Sequence, residues 1–291
     1  MAEKILKLGI PTGSLQKATV ELFGKAGFDI ADSERSLQPS VDDEQIEATY
    51  MRAQEMSRYV ADGVLDAGIT GYDWIMENES DVVDVAELAY SKITSKPAKW
   101  VLAVPDESKV TKPLDLQGGI IATELVNVTK KYFADKNIDV KVEFSWGATE
   151  VKARLVDAIV ELTETGTSLR ANNLRTIDTV ITSTTRLIAN KKAWLDKFKR
   201  EKVENIAILL KGAIEARSKV GLKMNVKKGD LDDVLKILPA EKSPTISGLA
   251  DSDYVAVEVL IDDKVERTLV PALKRAGATG IITYPLNKVI H

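Results

Sequence analysis

The sequence of 291 residues contains no cysteine, and its single histidine is His291. Without cysteine the chain has no disulfide, no thiolate nucleophile and no cysteine-ligated zinc or iron–sulfur site. One histidine argues against Ser–His catalysis and against general bases or metal sites built from imidazole. The chemistry open to this chain therefore belongs to carboxylates, hydroxyls, backbone amides, cations and hard metal ions.

Long apolar runs and a strong charge of one sign are also missing. No segment approaches the roughly 20 apolar residues of a membrane-spanning helix, and the amino terminus lacks a secretory pattern. We therefore expect a cytoplasmic protein without membrane contact. The formal charge of −4 gives no overall attraction for nucleic acid, so anionic small molecules held by local donors are the better candidates.

Apolar strands and amphipathic helices alternate along the first two thirds of the chain. Strands are predicted at 5–10, 66–70, 99–105, 120–124, 140–144, 157–162 and 179–183, and helices at 15–26, 53–62, 126–136, 150–155 and 168–175. This alternation predicts an α/β fold of parallel sheets covered by helices. The charge-rich segment 191–218 has helical spacing and is predicted to close this part of the chain.

A different pattern follows Gly221. Its order is strand 221–227, helix 230–238, strands 244–249 and 254–261, helix 265–275 and strand 280–284. This order predicts a ferredoxin-like α+β unit. A separate unit is also expected from length, because 291 residues exceed the size of one efficient core.

The most informative segment is DAIVELTETGTSL, residues 157–169. An apolar strand leads into a turn in which Gly166 allows the backbone amides to face inward, and Thr165, Thr167 and Ser168 add hydroxyls where a helix begins. Such a turn favours a phosphate, because amide donors and the helix dipole attract negative charge. The plain structural alternative is that these side chains only cap the helix.

Two carboxylates precede this turn. Asp157 and Glu161 are four residues apart, so on a strand they point to the same face. A carboxylate beside a phosphate site can accept hydrogen bonds from sugar hydroxyls and favour positive charge on a ribose ring. The alternative is that both acids are simply solvated.

The 157–169 segment resembles the phosphoribosyl pyrophosphate (PRPP) motif of ATP phosphoribosyltransferases, and the following LRANNLRTID continues the likeness. Five further segments are similar to the family in the same order, namely LGIPTGSL (8–15), RYVADGVLDAGITGYDWI (58–75), IATELVNVTKKYF (121–133), GATE (147–150) and SPTISGLADSDYVAVEVLI (243–261). The chain is thereby identified as resembling the long form of this family over nearly its whole length.

The resemblance implies a glycosyltransferase that condenses ATP with PRPP to N1-(5-phosphoribosyl)-ATP and pyrophosphate. This is the first step of histidine biosynthesis, with feedback inhibition by histidine and with AMP as a further candidate inhibitor. The N1 atom of adenine would displace pyrophosphate at the anomeric carbon with inversion. Mg²⁺ is the implied cofactor, with ligands left undefined, and no residue is assigned as an acid or base.

Residue roles are implied by the same resemblance. Thr165, Gly166, Thr167 and Ser168, with Glu164 beside them, would bind the 5′-phosphate of PRPP, and Asp157 and Glu161 would lie near its ribose. The nucleotide or pyrophosphate would be bound by Gly13, Ser14, Arg52, Asp73 and Glu150. In the last unit, Asn225 and Thr245 are candidate regulatory residues.

The first loop departs from the family pattern. Many relatives have Pro-Lys-Gly-Arg where this chain has Pro11, Thr12, Gly13 and Ser14, so both cations of the loop are absent. Lys7, Lys99 and Arg170 are the candidates to replace the missing charge.

The implied architecture has two lobes of the periplasmic-binding-protein type (type II) with the active site in the cleft between them. Lobe I would comprise 1–95 and 184–218, lobe II with the PRPP loop 96–183, and an ACT-like, histidine-binding regulatory domain 219–291. Family members form dimers and hexamers, so a homo-oligomer is expected. Two alternatives remain, a solute-binding or sensory protein of the same fold and a catalytically silent paralogue that regulates an active partner.

Overall fold

The computed structural model describes residues 4–31, 37–90, 97–239 and 243–291, and the chain divides into one unit ending at Ala207 and another beginning at Ile208. The strands, numbered along the chain, are β1 (Leu6–Pro11), β2 (Ile30–Ala31), β3 (Ser40–Val41), β4 (Ile46–Met51), β5 (Ala67–Gly71), β6 (Val83–Leu88), β7 (Ala98–Pro105), β8 (Ile120–Thr123), β9 (Lys141–Phe144), β10 (Ala158–Thr163), β11 (Leu174–Ser183), β12 (Thr185–Ala189), β13 (Lys219–Lys227), β14 (Thr245–Gly248), β15 (Tyr254–Asp262) and β16 (Thr279–Pro285). The helices are α1 (Gln16–Ala26), α2 (Ala53–Ala61), α3 (Tyr72–Glu77), α4 (Val126–Asp135), α5 (Thr149–Lys152), α6 (Thr167–Ala171), α7 (Lys191–Leu195), α8 (Lys197–Glu215), α9 (Leu231–Ile237) and α10 (Glu266–Arg275).

The first unit contains two five-stranded sheets. One has the order β4-β1-β5-β12-β6 and is called lobe I with its helices α1, α2 and α3; the other has the order β11-β7-β10-β8-β9 and is called lobe II with α4, α5 and α6. The chain passes between the sheets twice, from β6 to β7 and from β11 to β12. The expected two-lobed α/β architecture is confirmed.

Both sheets are mixed, whereas the sequence predicts parallel sheets. β1 pairs in parallel with β4 and β5, but β12 runs antiparallel to β5 and β6. In lobe II, β8 is parallel to β9 and β10, but β7 is antiparallel to β10 and β11. The reversed strands β7 and β12 are those that enter a sheet from the other lobe, so they are not constrained by a βαβ crossover.

The apolar run of β10 reflects burial on both faces. Ala158 and Val160 face a core that contains Phe133 of α4, and Ile159 faces a second core with Leu169 of α6. A strand buried on both faces needs a continuous apolar sequence. This packing fixes the end of β10, from which the candidate phosphate turn leaves.

The predicted helix at 168–175 is shorter than expected. α6 ends at Ala171, and β11 already begins at Leu174. Asn173 has a φ of +56°, a left-handed conformation that asparagine tolerates and that ends a helix. The sequence pattern does not predict strands β6 and β12.

The second unit has a four-stranded antiparallel sheet in the order β14-β15-β13-β16, with α9 and α10 between its strands along the chain. Its core contains Leu222 and Met224 of β13, Val257 of β15, Val234 of α9 and Leu273 of α10. This order confirms the ferredoxin-like prediction. The predicted domain limits at 95/96, 183/184 and 218/219 stay a prediction.

No helix in the described ranges is long and apolar enough to span a bilayer.

Candidate active site

A cleft of about 930 Å³ lies in the first unit and is lined by residues of both lobes. Its lobe I side contains the turn after β1, the start of α2 and the start of α3, and its lobe II side contains the end of β8 and the turn after β10. These positions follow the carboxyl ends of β1, β4, β5, β8 and β10, where α/β sheets bind ligands. The polar and charged residues that line the cleft include Thr12, Ser14, Arg52, Asp73, Glu124, Glu161, Thr163, Glu164, Thr165, Thr167 and Ser168.

The turn of residues 163–168, called the 163–168 loop, has the conformation expected of an anion site. Gly166 has a φ of +72°, which glycine adopts without strain, and it immediately precedes α6. Its amide donates to Thr163 Oγ1 at 2.7 Å. The amides of Thr165, Thr167 and Ser168 have no acceptor among the described residues, so they remain available to an anion.

Arg170 stabilises the outer side of this loop. Its Nη2 donates to the carbonyl of Thr165 at 3.1 Å and lies 3.4 Å from Thr167 Oγ1. Gly166 and Arg170 line a smaller pocket that also contains Asp106, not the cleft. The guanidinium therefore binds the loop itself and leaves the cleft charge to another residue.

Arg52 is the only cationic side chain among the described residues that line the cleft. It precedes α2 and makes no ion pair with any residue in the described ranges. None of the three candidates for the missing charge, Lys7, Lys99 and Arg170, lines the cleft. Gly13 and Ser14, in a 3-10 turn, lie on the same wall as Arg52.

Glu161 lines the cleft, and its carboxyl has a raised pKa. Burial is the main cause, and with the negative charges of Glu150 and Glu124 it raises the pKa of Glu161 to about 7. A hydrogen bond that the carboxylate accepts from the Leu162 amide at 3.0 Å acts in the opposite direction and lowers the pKa. A carboxyl with a nearly neutral pKa in a cleft is typical of a functional site.

The neighbours of Glu161 connect the 163–168 loop to other segments. Glu150, in α5, accepts a hydrogen bond from Ser168 Oγ and lines a different pocket. Glu124 lines the cleft and accepts from the Gly147 amide at 3.0 Å. The sequence analysis does not assign Glu124, although its position directly after a buried strand is a signal for a cleft residue.

Asp157 lies at the other end of β10. It precedes the strand, accepts from the Ile120 amide at 2.8 Å and does not line the cleft. The even spacing from Glu161 gives a shared face, but four strand residues span about 13 Å. The structure therefore does not bring Asp157 and Glu161 together.

Asp73 lines the cleft but is only 4% exposed. Its Oδ2 accepts from Trp100 Nε1 at 2.6 Å, and its Oδ1 accepts from Ser183 Oγ at 2.8 Å and from the Trp74 amide at 3.1 Å. Burial raises the pKa of Asp73, and these donors oppose the shift. Because the protein occupies both oxygens, Asp73 joins the two lobes rather than presenting a free carboxylate.

Asn225 and Thr245 lie on one face of the sheet in the second unit. Asn225 of β13 is opposite Ala256 of β15, and Thr245 of β14 is opposite Glu258, two residues further along β15. Side chains at such positions share a face. It is the face turned away from the core residues Met224 and Val257.

Within the described ranges, no three or more His, Cys, Asp or Glu side chains are grouped closely enough to hold a metal ion.

Comparison with known proteins gives consistent results. A family model described as "HisG: ATP phosphoribosyltransferase" matches residues 52–222, and one described as "HisG, C-terminal domain" matches residues 216–288. The chain is 56% identical over 290 residues to an ATP phosphoribosyltransferase of Chlorobaculum parvum, with 99% of both chains covered. It is 57% identical over 286 residues to one of Pelotomaculum thermopropionicum, covering 98% of this chain and 99% of the relative.

Among solved structures, the chain is similar to an ATP phosphoribosyl transferase (HisG:HisZ) complex from Thermotoga maritima. The TM-score is 0.60 at 28% identity, and the match covers 71% of this chain and 96% of the other.

Proposed function

Because this chain belongs to the ATP phosphoribosyltransferase family, in the long form with a C-terminal domain, we propose that its cleft condenses ATP with PRPP to give N1-(5-phosphoribosyl)-ATP and pyrophosphate. The observation that carries this proposal is the placement of the 163–168 loop across the cleft from Arg52, Gly13 and Ser14, with the amides of Thr165, Thr167 and Ser168 free of protein acceptors. The free amides of the 163–168 loop suit a phosphate monoester, and the guanidinium of Arg52 on the opposite wall suits a polyphosphate.

The 163–168 loop binds the 5′-phosphate of PRPP in this proposal, and Glu161 lies near the ribose. Arg52 and the Gly13–Ser14 turn bind the nucleotide or the leaving pyrophosphate. The N1 lone pair of adenine forms the new bond to the anomeric carbon, and pyrophosphate leaves with the electron pair of the bond that breaks. Alignment and charge stabilisation dominate, because no residue of the cleft needs to move a proton in this step.

Mg²⁺ fits this cleft as an ion held chiefly by substrate oxygens. The described residues contain no cluster of metal-binding side chains, but Glu124, Glu161 and Glu164 line the cleft and can supply one or two ligands. Mg²⁺ keeps most of its waters and binds phosphate oxygens with few protein ligands. When bound, it neutralises charge on the pyrophosphate.

The experiment for this function mixes the purified protein with ATP, PRPP and MgCl₂ and follows the ultraviolet absorbance of the product. We expect time-dependent product formation that requires all three components. Absence of product at any substrate concentration would support the alternative of a catalytically silent regulatory paralogue.

Substitution of Gly166 tests the binding role of the loop. We expect Gly166→Ala to raise the Kd for PRPP about tenfold, because a Cβ at φ +72° strains the loop by about 1–2 kcal/mol. Isothermal titration calorimetry measures this change. The added Cβ would also lie 2.8 Å from Arg170 Nη1, so this side chain would have to move.

Gly118→Ala is the matched control. Gly118 has a φ of +77°, a Cβ added to it would meet no other part of the protein within 4 Å, and it does not line the cleft. Both variants should lose similar stability, but only Gly166→Ala should lose affinity. Equal PRPP affinities in the two variants would show that the loop does not bind the substrate.

Histidine binding by the second unit is a further part of the proposal, with AMP as an additional candidate inhibitor. We expect Asn225→Ala and Thr245→Ala to raise the histidine concentration for half-inhibition about tenfold, at the level of one lost hydrogen bond, without changing turnover in its absence. Thr268→Ala, on α10, is the control. If Asn225→Ala and Thr245→Ala are both inhibited by histidine as strongly as the parent, this face of the sheet does not bind histidine.

A cytoplasmic homo-oligomer, dimeric or hexameric, is also proposed on the resemblance to the family. Light scattering coupled to gel filtration tests the assembly, and a monomer at all concentrations would contradict it.

A further inference from the structure

Helix α3 lies at the junction of the two lobes of the first unit. It follows β5 of lobe I, yet both of its ends bind lobe II. At its start, Asp73 accepts hydrogen bonds from Trp100 of β7 and Ser183 of β11, and the rings of Trp74 and Trp100 meet edge to face with centroids 6.1 Å apart. The proposed reaction assigns no role to this junction.

At the other end of α3, Glu77 caps helix α4 of lobe II. Its Oε1 accepts from the Asn127 amide and its Oε2 from the Val128 amide, each at 3.0 Å, and Asn127 Nδ2 donates to the Glu77 carbonyl at 2.9 Å. The first-turn amides of a helix have no partner within the helix, and a carboxylate there is also favoured by the helix dipole. Glu77 is only 9% exposed, so this cap is shielded from solvent.

The same helix is bound firmly to lobe I. Ser57 Oγ of α2 donates to the Trp74 carbonyl at 3.0 Å, and Asn78 Nδ2 donates to the Gln54 carbonyl at 2.8 Å and to Ser57 Oγ at 2.9 Å. α2 begins directly after Arg52, and α4 begins directly after Leu125, which follows Glu124. The hydrogen bonds of α3 therefore connect α2, which begins after Arg52, with α4, which begins shortly after Glu124. Arg52 and Glu124 line opposite walls of the cleft.

We propose that Glu77 is a positioning residue that, through the first turn of α4, holds the two cleft walls in the alignment the reaction requires. This inference rests on the proposed function, in which PRPP is bound by lobe II and the nucleotide by lobe I. The reacting atoms are then carried by different lobes, so a small change in lobe position lowers the rate much more than it lowers binding to either wall.

Glu77→Gln is the main test. In the parent, each carboxylate oxygen of Glu77 accepts one amide N–H of α4. Glutamine has one oxygen and one NH₂ group, so its NH₂ group would face a backbone N–H, and one of the two hydrogen bonds is replaced by a contact between two donors. We expect kcat to fall about tenfold to a hundredfold, whereas the Kd for PRPP alone changes less than about twofold, because the 163–168 loop lies wholly within lobe II. Glu79→Gln, the same change at an exposed position two residues further on, should leave both values unchanged.

A second readout does not depend on activity. Because the chain has no cysteine, single cysteines at Lys17 of α1 and Lys131 of α4, both highly exposed, can carry spin labels. We expect electron–electron double resonance to show a shifted or broader distance distribution in Glu77→Gln than in the parent. If the parent forms no product but this distribution changes, the proposed function fails while the structural role of Glu77 stands.

Asn127→Ala provides a milder variant in case Glu77→Gln does not fold. It removes only the hydrogen bond from the Asn127 side chain to the Glu77 carbonyl. We therefore expect a smaller decrease in kcat than in Glu77→Gln, and an unchanged affinity for PRPP. An unchanged kcat and distance distribution in both variants would overturn the proposal, and so would a parallel loss of kcat and PRPP affinity, which indicates local damage to lobe II.

Discussion

Replacing Arg52 with alanine is expected to lower kcat/KM for PRPP about a hundredfold to a thousandfold, the usual effect of removing one group that stabilises transition-state charge. Arg52 is the sole cation among the described cleft residues, and it has no ion-pair partner in the described part of the chain. In the proposed reaction, negative charge develops on pyrophosphate as the bond to the anomeric carbon breaks. Loss of the guanidinium therefore acts mainly on the transition state.

Arg58→Ala is the matched control for this variant. Arg58 lies on the same helix, α2, and forms an exposed pair with Glu55. Such pairs contribute little, so its activity should stay close to that of the parent. Arg52→Lys should recover part of the activity, because lysine keeps the charge but not the planar fork of donors. If Arg52→Ala retains activity within about threefold of the parent, the charge in the cleft comes from elsewhere.

Glu161→Gln is expected to stabilise the protein in a pH-dependent way. Burial raises the pKa of Glu161 from 4.5 to about 7, so the folded state binds its proton more tightly than the unfolded state does. Folding stability is therefore lost as pH rises from about 4.5 to about 7, and the penalty is complete above that range. At one pKa unit per 1.36 kcal/mol, removing this carboxylate should add about 3 kcal/mol at pH 8 and less than about 0.5 kcal/mol at pH 4.5.

Thermal or denaturant unfolding at the two pH values measures this difference. Glu107→Gln, an exposed change on lobe II, should alter stability equally at both values. Glu161→Gln should also lower turnover, because in the proposed reaction the carboxylate favours positive charge on the ribose. A gain in stability that is independent of pH would contradict the shifted pKa of Glu161.

The features of this protein that the sequence predicts are formed by residues that lie close together along the chain. The 163–168 loop is identified by a buried strand, a glycine and three hydroxyls within a dozen residues, and the structure gives Gly166 the left-handed φ that this pattern requires. The ferredoxin-like unit is predictable for a similar reason, since each of its strands and helices carries its own periodicity.

The interactions that sequence analysis does not find join distant residues. The resemblance assigns Asp73 to nucleotide or pyrophosphate binding, but Trp100 and Ser183, 27 and 110 residues away, occupy its oxygens. Glu77 caps a helix 50 residues further along the chain. Asp157 shows the converse case, because its spacing from Glu161 suggests that the two carboxylates act together, whereas Asp157 precedes β10 and lies outside the cleft. These contacts depend on how the lobes pack, which no local pattern contains.

In the proposed reaction, the main-chain amides of the 163–168 loop bind the phosphate monoester of PRPP. A crystal structure of the protein with PRPP and Mg²⁺ tests it most directly. We expect the 5′-phosphate to lie within about 3 Å of the amide nitrogens of Thr167 and Ser168. A 5′-phosphate bound instead at the Gly13–Ser14 turn, with the 163–168 loop making no contact to the ligand, would contradict it.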